Sequence, residues 1–267
     1  MLFAINNLQA SGVNLLMNDF AAGLPSPLSF LGFGDAIARD LGLSPWSACT
    51  LPILHSVNIS EGRTKPEMEV KNGSFRPVGM MEDLTGLVEV SVLINLPDYD
   101  DDDGLRRTLS GRRLGGGTIQ NNDWSVKSVP SDGSAFSQIR RGYAMVRPEV
   151  PERLQITTGK IGELEAIAAE LFPPERQPSS GWIVPVAVGH HLLENPDTAP
   201  KRSGTRASNI PHVFTEPVLG IAELVSVRNK RLTKLTMEEL DALLWSWDAR
   251  GEYVLGHAAY HPECKNY

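Results

Sequence analysis

The chain has 267 residues, 41% of them hydrophobic and 21% charged, which is typical of an ordinary soluble globular protein with a sizeable core. Its two cysteines, Cys49 and Cys264, lie far apart, which excludes a disulfide framework and a cysteine-rich zinc site. The net charge of −7 disfavours a stand-alone nucleic-acid binder, and the absence of a long apolar run or basic leader favours a cytoplasmic protein without a signal peptide.

The first part of the chain predicts a strand, a helix and two further strands. Loose alternation indicates a strand over residues 2–13. Ser26 as N-cap and Pro27 at the first helical position predict a helix that runs to about residue 41. Alternation predicts strands over residues 49–60 and 84–96. A polar hairpin or flap is expected between them, over residues 61–74. This order is the opening of a ferredoxin-like unit.

A basic, glycine-rich span covers residues 104–147, directly after the acidic run 98–103. The span holds eight cations and two acids, a local charge of 8 − 2 = +6. Three glycines at its centre, Gly115, Gly116 and Gly117, let a backbone approach a partner closely. Together with Trp124, these groups suit a phosphodiester strand with exposed bases, and a solvated loop is the alternative. The cations of the span are Arg106, Arg107, Arg112, Arg113, Lys127, Arg140, Arg141 and Arg147.

The second half of the chain predicts further strands and two helices. Strands are expected over residues 142–146, 182–193 and 212–227, and Pro185 should lie at a sheet edge or a bulge. Helices are expected over residues 161–172 and from the capping box of Thr236 and Glu239 to about Trp247. Trp245 and Trp247 would then lie on different helix faces, one of them at a subunit interface. The tail predicts a last strand.

Two histidine pairs raise the question of chemistry. His190 and His191 could supply a general base, but neighbouring residues on a strand point to opposite faces. His257 and His261 have helical metal-ligand spacing, but Gly256 and Pro262 disfavour a helix there. The three glycines are not followed by a Walker lysine. We therefore expect no metal, no nucleotide cofactor and no catalysis.

Six sequence segments, taken together and in order, resemble the Csy-type subunit of type I-F CRISPR surveillance (Cascade) complexes. That subunit belongs to the RAMP superfamily and to the group that caps the 5′ handle of the guide RNA. The segments are residues 23–27 with Phe30, Gly32 and Phe33, then residues 113–119, 142–146, 181–186, 216–223 and 243–245. The chain differs from the family in a shorter stretch between residues 94 and 147 and in Gly189, His190 and His191.

The resemblance implies an α+β fold: a ferredoxin-like (RRM-like) RAMP core with an antiparallel sheet, a glycine-rich loop and a thumb-like or helical insertion. We divide the chain into an N-terminal core part (1–97), a basic insertion (98–141) and the remaining core (142–267). The implied role is to grip the 5′ handle of the guide RNA without catalysis. The implied partners are the backbone and large subunits and, as in some related subtypes, duplex DNA at the protospacer-adjacent motif.

The candidate RNA contacts combine the basic span with two later basic segments and one histidine. A metal-independent endoribonuclease using His190 or His191, and a protein-only scaffold, are the alternatives. The candidates are Arg106, Arg107, Arg112, Arg113, Gly115, Gly116, Gly117, Trp124, Arg140, Arg141, His190, Lys201, Arg202, Arg206, Arg228 and Lys230.

Overall fold

The fold is taken from a computed structural model of the chain. It describes residues 1–18, 21–60, 68–77, 84–130, 134–148, 165, 168–169, 171–173, 181–202, 211–233 and 235–258. Within these residues, no helix combines the length and the apolar character that a membrane crossing requires.

The described residues form an α+β fold in which strands predominate. The helices are α1 (Pro27–Asp40), α2 (Asp102–Leu109) and α3 (Met237–Asp241), with 3-10 turns at Ala135–Gln138 and Lys230–Leu232. The strands are β1 (Leu2–Asn14), β2 (Leu16–Asn18), β3 (Ala21–Ala22), β4 (Cys49–Ile59), β5 (Met68–Lys71), β6 (Ser74–Pro77), β7 (Thr85–Asn95), β8 (Arg113–Leu114), β9 (Gly117–Ile119), β10 (Ser125–Ser128), β11 (Tyr143–Val146), β12 (Trp182–Leu192), β13 (Thr215–Ser226), β14 (Trp245–Arg250) and β15 (Tyr253–Ala258).

The first half of the main sheet is built around β1. The strands stand in the order β10–β1–β7–β4, and every neighbouring pair is antiparallel. Along the chain, the elements of this unit follow as β1, α1, β4, β7, α2 and β10. One edge of β1 pairs with two strands. The start of β1 pairs with β10, and the later part of β1 pairs with β9. The hairpin of β8 and β9 thereby extends the sheet beyond β1.

The second half of the main sheet closes into a ring. The pairings run from β4 to β11, β13, β12, β15 and β14, and return from β14 to β4. The strand β4 therefore belongs both to the β10–β1–β7–β4 unit and to this ring. The main sheet therefore contains strands from all three parts of the chain that the sequence analysis defined, 1–97, 98–141 and 142–267.

Helix α1 packs against both halves of the sheet. It contacts β4, β12, β14 and β15, and buries Phe30, Leu31 and Ile37 completely. The hydroxyl of Ser26 accepts a hydrogen bond from the Leu28 amide and donates one to the Ala187 carbonyl at 2.6 Å. The N-cap residue thus connects the start of α1 to β12.

The local sequence signals predicted most of the regular elements. The strands expected over residues 2–13, 49–60, 84–96, 142–146, 182–193 and 212–227 are confirmed, with shifts of one to three residues at their ends. Helix α1 begins as expected behind Ser26. Residues 68–71 and 74–77 form the expected hairpin, and the last strand in the tail is present as β15. Most of the helix expected over 161–172 lies outside the described residues.

Pro185 occupies the edge position that its missing amide predicts. It pairs with Ile221 on β13, whereas β15 joins β12 only from Gly189 onward. The register of β12 against β13 also shifts between Ala187 and Gly189. The proline therefore lies where β12 has one neighbour among the described strands.

The expected helix through Trp247 is wrong. The capping box of Thr236 and Glu239 is present, but the helix ends at Asp241, and Trp245 and Trp247 belong to β14. Residues two apart in a strand share a face, so the separation of the two indoles onto different faces is also wrong. Trp245 is buried, and its indole donates to the Met145 carbonyl at 2.8 Å. This contact across 100 residues overrides the local helical pattern.

Candidate nucleic-acid interface

One face of the sheet carries a row of mostly polar residues that crosses five strands. The row runs from Arg113 on β8 to Thr118 on β9, Ser11 on β1, Leu87 on β7 and Asn58 on β4. Directly paired residues of neighbouring strands project to the same side of a sheet. Four of the five residues are exposed, and Ser11 is half-buried. At a strand spacing of ~4.8 Å, the row is about 19 Å wide.

A second row lies on the same face, two residues along each strand. It consists of Gln9, Glu89 and Ser56, all half-buried. Arg140 joins this row through its guanidinium, which lies 2.5 Å from the Glu89 carboxylate. The side chains between the two rows belong to the opposite face, where Ala10 and Val88 are buried. We call the two rows together with Arg140 the open sheet face.

The residues before and after Arg140 in the sequence are fixed by hydrogen bonds. The preceding 3-10 turn is anchored by the guanidinium of Arg228, which donates to the carbonyls of Phe136 at 2.9 Å and Ile139 at 2.8 Å. Behind Arg140, the Arg141 carbonyl lies 2.9 Å from Nδ1 of His55. Arg228 therefore acts as a structural clamp, while Arg140 and Arg141 remain exposed at the surface.

His55 links this segment to the centre of the sheet. Its Nε2 lies 2.8 Å from the hydroxyl of Ser91, and that hydroxyl accepts a hydrogen bond from the amide of Asn7. Because the Arg141 carbonyl can only accept, the neutral ring carries its proton on Nδ1 and accepts from Ser91 through Nε2. Burial lowers the pKa of His55, which favours this neutral form.

The three glycines form a tight hairpin turn between β8 and β9. Gly115 and Gly116 both have positive φ, +53° and +83°, as a two-residue type I′ turn requires. A Cβ on Gly117 would lie 2.7 Å from the Ser11 carbonyl oxygen, so this glycine lets the hairpin pack closely on β1. The carbonyl of Gly115 accepts from the Asn14 amide. Only Gly116 is exposed, so the turn geometry accounts for the run without a ligand.

The four arginines around α2 do not form one group. Arg113 lies on the open sheet face, whereas Arg112 turns towards the end of α1, where it binds the Asp40 carboxylate and the Thr108 carbonyl. Arg107 approaches Asp101 at 3.5 Å. Arg106 is exposed on α2, which packs against α1 and β10. The structure thus separates Arg113 from Arg112, its immediate neighbour in the sequence.

The later basic candidates lie at the turns of the ring. Arg202 makes a two-point ion pair with Glu194 at 2.6 and 2.8 Å and stacks on Phe214, so its guanidinium is engaged within the fold. Lys201 and Lys230 are exposed. Arg206 lies outside the described residues.

The structure places the two histidines of the pair on different faces of the ring and packs Trp124 against the core. His190 pairs with Pro217 and Val254 on one face of the ring, and its pKa is lowered by burial. His191 stacks on Tyr253 at 4.7 Å on the other face. Trp124 is half-buried and packs against the core. Among the described residues, no cluster of three metal-ligating side chains is present, and His261 lies outside them.

Several residues of the open sheet face were not predicted as site residues. Gln9, Ser11, Ser56, Asn58, Leu87 and Glu89 each looked like an ordinary strand residue. The available signal was the polar residues that alternate with apolar ones in β1, β4 and β7. This pattern does not show which strands are neighbours, so the face could be found only from the strand register.

The comparisons with known proteins agree with the sequence motifs. No curated protein matches the chain. Residues 163–255 match the family model described as CRISPR-associated protein (Cas_Csy2). The matched segment contains three of the six motif segments, 181–186, 216–223 and 243–245, and leaves out those of the N-terminal half. This match, which covers about a third of the chain, agrees with the resemblance to the Csy-type subunit that the motifs carry.

Proposed function

We propose that the chain is a non-catalytic RNA-binding subunit of a CRISPR effector complex and that it holds the 5′ handle of the guide RNA. The observation that carries this proposal is the open sheet face, where the register brings Arg113 and Arg140 to the same side of five strands. The proposal does not depend on the three glycines, or on Arg106 and Arg107 of α2.

The strand order supports the proposal. The arrangement β10–β1–β7–β4, with helices after the first and third strands, is the order of a ferredoxin-like unit. RRM domains are four-stranded units that bind single-stranded RNA on one sheet face. We therefore assign the β10–β1–β7–β4 unit as the RAMP core, and its open face as the surface for the strand.

The chemistry of the face favours the sugar-phosphate backbone over base stacking. None of the eight side chains in the two rows is aromatic. Guanidinium groups at Arg113 and Arg140 can bind phosphates, and the hydroxyl and amide groups between them can bind ribose 2′-hydroxyls. With few phosphate contacts and a net charge of −7, the isolated chain should bind RNA weakly.

A second element extends the same unit. The hairpin of β5 and β6 forms its own two-stranded sheet, inserted in the chain between the neighbouring strands β4 and β7. We assign this hairpin as the thumb-like excursion that the resemblance implies.

The test is a double charge reversal on the face. Fluorescence anisotropy should follow binding of a labelled single-stranded repeat RNA to the wild type and to Arg113→Glu/Arg140→Glu. We expect the double variant to lose at least tenfold in affinity and to show a shallower salt dependence, by about 0.7 per phosphate contact removed. Arg39→Glu, a reversal of an exposed arginine on α1, should change neither quantity.

The same experiment separates the alternatives. An endoribonuclease would shorten the repeat RNA in EDTA and would lose that activity in His190→Ala or His191→Ala. A protein-only scaffold would bind no RNA, and the purified complex would contain none. If duplex DNA carrying the protospacer-adjacent motif bound better than RNA and was lost in the same double variant, the face would belong to DNA recognition instead.

A further inference from the structure

We propose that a second surface, at the far end of the ring, binds a neighbouring protein subunit through an apolar segment flanked by basic residues. We call this surface the outer patch and define it by His191, Leu193, Phe214 and Tyr253. The identification of the partner as an effector subunit rests on the proposed function, whereas the chemistry of the patch does not.

The register places the four side chains together. His191 pairs with Tyr253 on β15, and their rings are stacked at 4.7 Å. The amide of Leu193 donates to the Phe214 carbonyl at 2.9 Å, one position beyond the last ladder pair of β12 and β13. Leu193 lies two residues after His191 and therefore projects to the same side. Leu193, Phe214 and Tyr253 are 49%, 63% and 43% exposed.

The patch faces away from helix α1. Gly256 on β15 lies towards α1, because a Cβ at this position would be 3.1 Å from Leu28 and 3.5 Å from Leu31. Tyr253 is three residues before Gly256 and projects to the opposite side of the strand. The core therefore does not use this side of β15, and the four side chains present their apolar surface outward.

The ion pair of Arg202 and Glu194 fixes Phe214 in the outer patch in the absence of a partner. The guanidinium of Arg202 lies 4.4 Å from the centre of the Phe214 ring and pairs with both oxygens of Glu194. Glu194 also accepts from the Phe214 amide. These contacts lower the pKa of Glu194 and keep it charged. An exposed aromatic ring that is already fixed costs little conformational entropy on binding.

The charges around the patch decide which class of partner it fits. Arg202 is neutralised by Glu194, and Arg250, which pairs with Tyr253 in the ladder, is neutralised by Asp248. Two further carboxylates lie at the patch: Glu216, which is opposite His191 on β13, and Glu252, which is 78% exposed and lies 3.4 Å from Nε2 of His191. Carboxylates beside exposed apolar groups repel phosphates and attract lysine and arginine. The surface thus suits a protein and disfavours nucleic acid.

A cavity next to the patch offers a place for an anchoring side chain. It has a volume of about 300 Å³ and is lined by Leu192, Leu193, Pro196, Gly251 and the carboxylates Glu194 and Glu252. Interfaces concentrate their affinity in a few apolar anchors that enter such pockets. A leucine or methionine beside a lysine would place its apolar part in the cavity and its ammonium near Glu252.

The experiment uses the full chain co-expressed with the other protein subunits of its effector complex and a guide RNA. Leu193→Ser/Phe214→Ser removes the apolar contacts. Glu216→Lys/Glu252→Lys reverses the charge and also removes the contact between Glu252 and His191. Leu219→Ser is the matched control, since Leu219 is 45% exposed on β13, on the face opposite to Glu216. Co-purification and size-exclusion chromatography measure the retention of the chain in the complex.

We expect both double variants to reduce retention at least tenfold and Leu219→Ser to leave it unchanged. Both double variants should still bind repeat RNA as isolated proteins, whereas Arg113→Glu/Arg140→Glu should show the reverse pattern, so a failure of the RNA assignment is recognised separately. A photo-crosslinker placed at position 214 should capture a protein segment that contains lysine or arginine. Full retention of both double variants, or a crosslink to RNA, would overturn the proposal.

Discussion

The guanidinium of Arg140 lies 2.5 Å from the carboxylate of Glu89, in the middle of the open sheet face. Glu89 is the one acid in the two rows, so it holds Arg140 over the sheet and also competes with any phosphate for it. The first prediction follows from this pairing. Glu89→Gln should release Arg140 and tighten RNA binding about two- to fivefold, which corresponds to the ~0.5–1 kcal/mol of a partly exposed ion pair.

Anisotropy with labelled repeat RNA at low and high salt measures this effect. Glu238→Gln is the control, because it removes the same charge from an exposed position on α3. Weaker binding in Glu89→Gln would mean that the carboxylate positions Arg140 for RNA rather than occupying it.

The glycine turn should be sensitive to substitution in a position-specific way. Gly117→Ala places a Cβ 2.7 Å from backbone atoms of β1 and should detach the β8–β9 hairpin, with a marked drop in the melting temperature. Gly116→Ala meets open space and should cost only the ~1 kcal/mol of a left-handed conformation. Thermal unfolding ranks the two variants. If Gly116→Ala instead abolished RNA binding while the fold stayed intact, the turn would be a direct contact.

The ion pair of Glu223 and Arg231 should be a main stabilising contact of the ring. Glu223 is buried, pairs with Arg231 at 2.5 and 3.0 Å, and accepts from the Gly181 amide at the start of β12. Arg231→Met removes the guanidinium from the buried Glu223 carboxylate, which still accepts from the Gly181 amide, and should lower the free energy of unfolding by about 1–3 kcal/mol. Arg107→Met, at the exposed pair with Asp101, should cost less than ~1 kcal/mol. Chemical denaturation of both variants compares them directly, and equal losses would contradict the assignment.

The stability of the fold should depend on His55 in the mildly acidic range. Burial lowers its pKa below the ordinary value of 6.5, so the unfolded chain takes up the proton first as the pH falls. The contribution is complete above pH 6.5 and is lost as the pH drops towards the folded pKa. His55→Asn keeps a donor for the Arg141 carbonyl but cannot titrate.

The measurement is the free energy of unfolding of wild type and His55→Asn between pH 5 and 8, taken as a difference because the pKa of His190 is lowered as well. We expect the variant to lose less stability than the wild type on acidification. Parallel curves would show that the native state tolerates the charged imidazole.

The elements could be predicted from the sequence where the signal is local. Ser26 and Pro27 mark the start of α1, and the strict alternation in β7 marks a strand whatever surrounds it. The signal failed at Trp245, where pairing with Thr50 and a hydrogen bond to Met145 decide the structure from far along the chain. Asp101, which caps α2 and accepts from the Gly104 amide, was an N-cap signal hidden in a run of acids.

The sequence shows which residue types the candidate site contains, but it does not show where they lie on the sheet. Arginine content drew attention to residues 104–147. Only the register and the contact of Arg140 with Glu89 show that Arg113 and Arg140 share a face, while Arg112 turns to Asp40. Serine, asparagine and glutamine in strands give no distinct signal until their neighbours are known.

The most direct test of the open sheet face is a photo-crosslinker at position 87, the centre of the five-strand row and an exposed position. In the assembled complex with radiolabelled guide RNA, irradiation should crosslink this position to the 5′ handle, while a crosslinker at position 219 should capture no RNA. RNA captured at 219 but not at 87 would contradict the account.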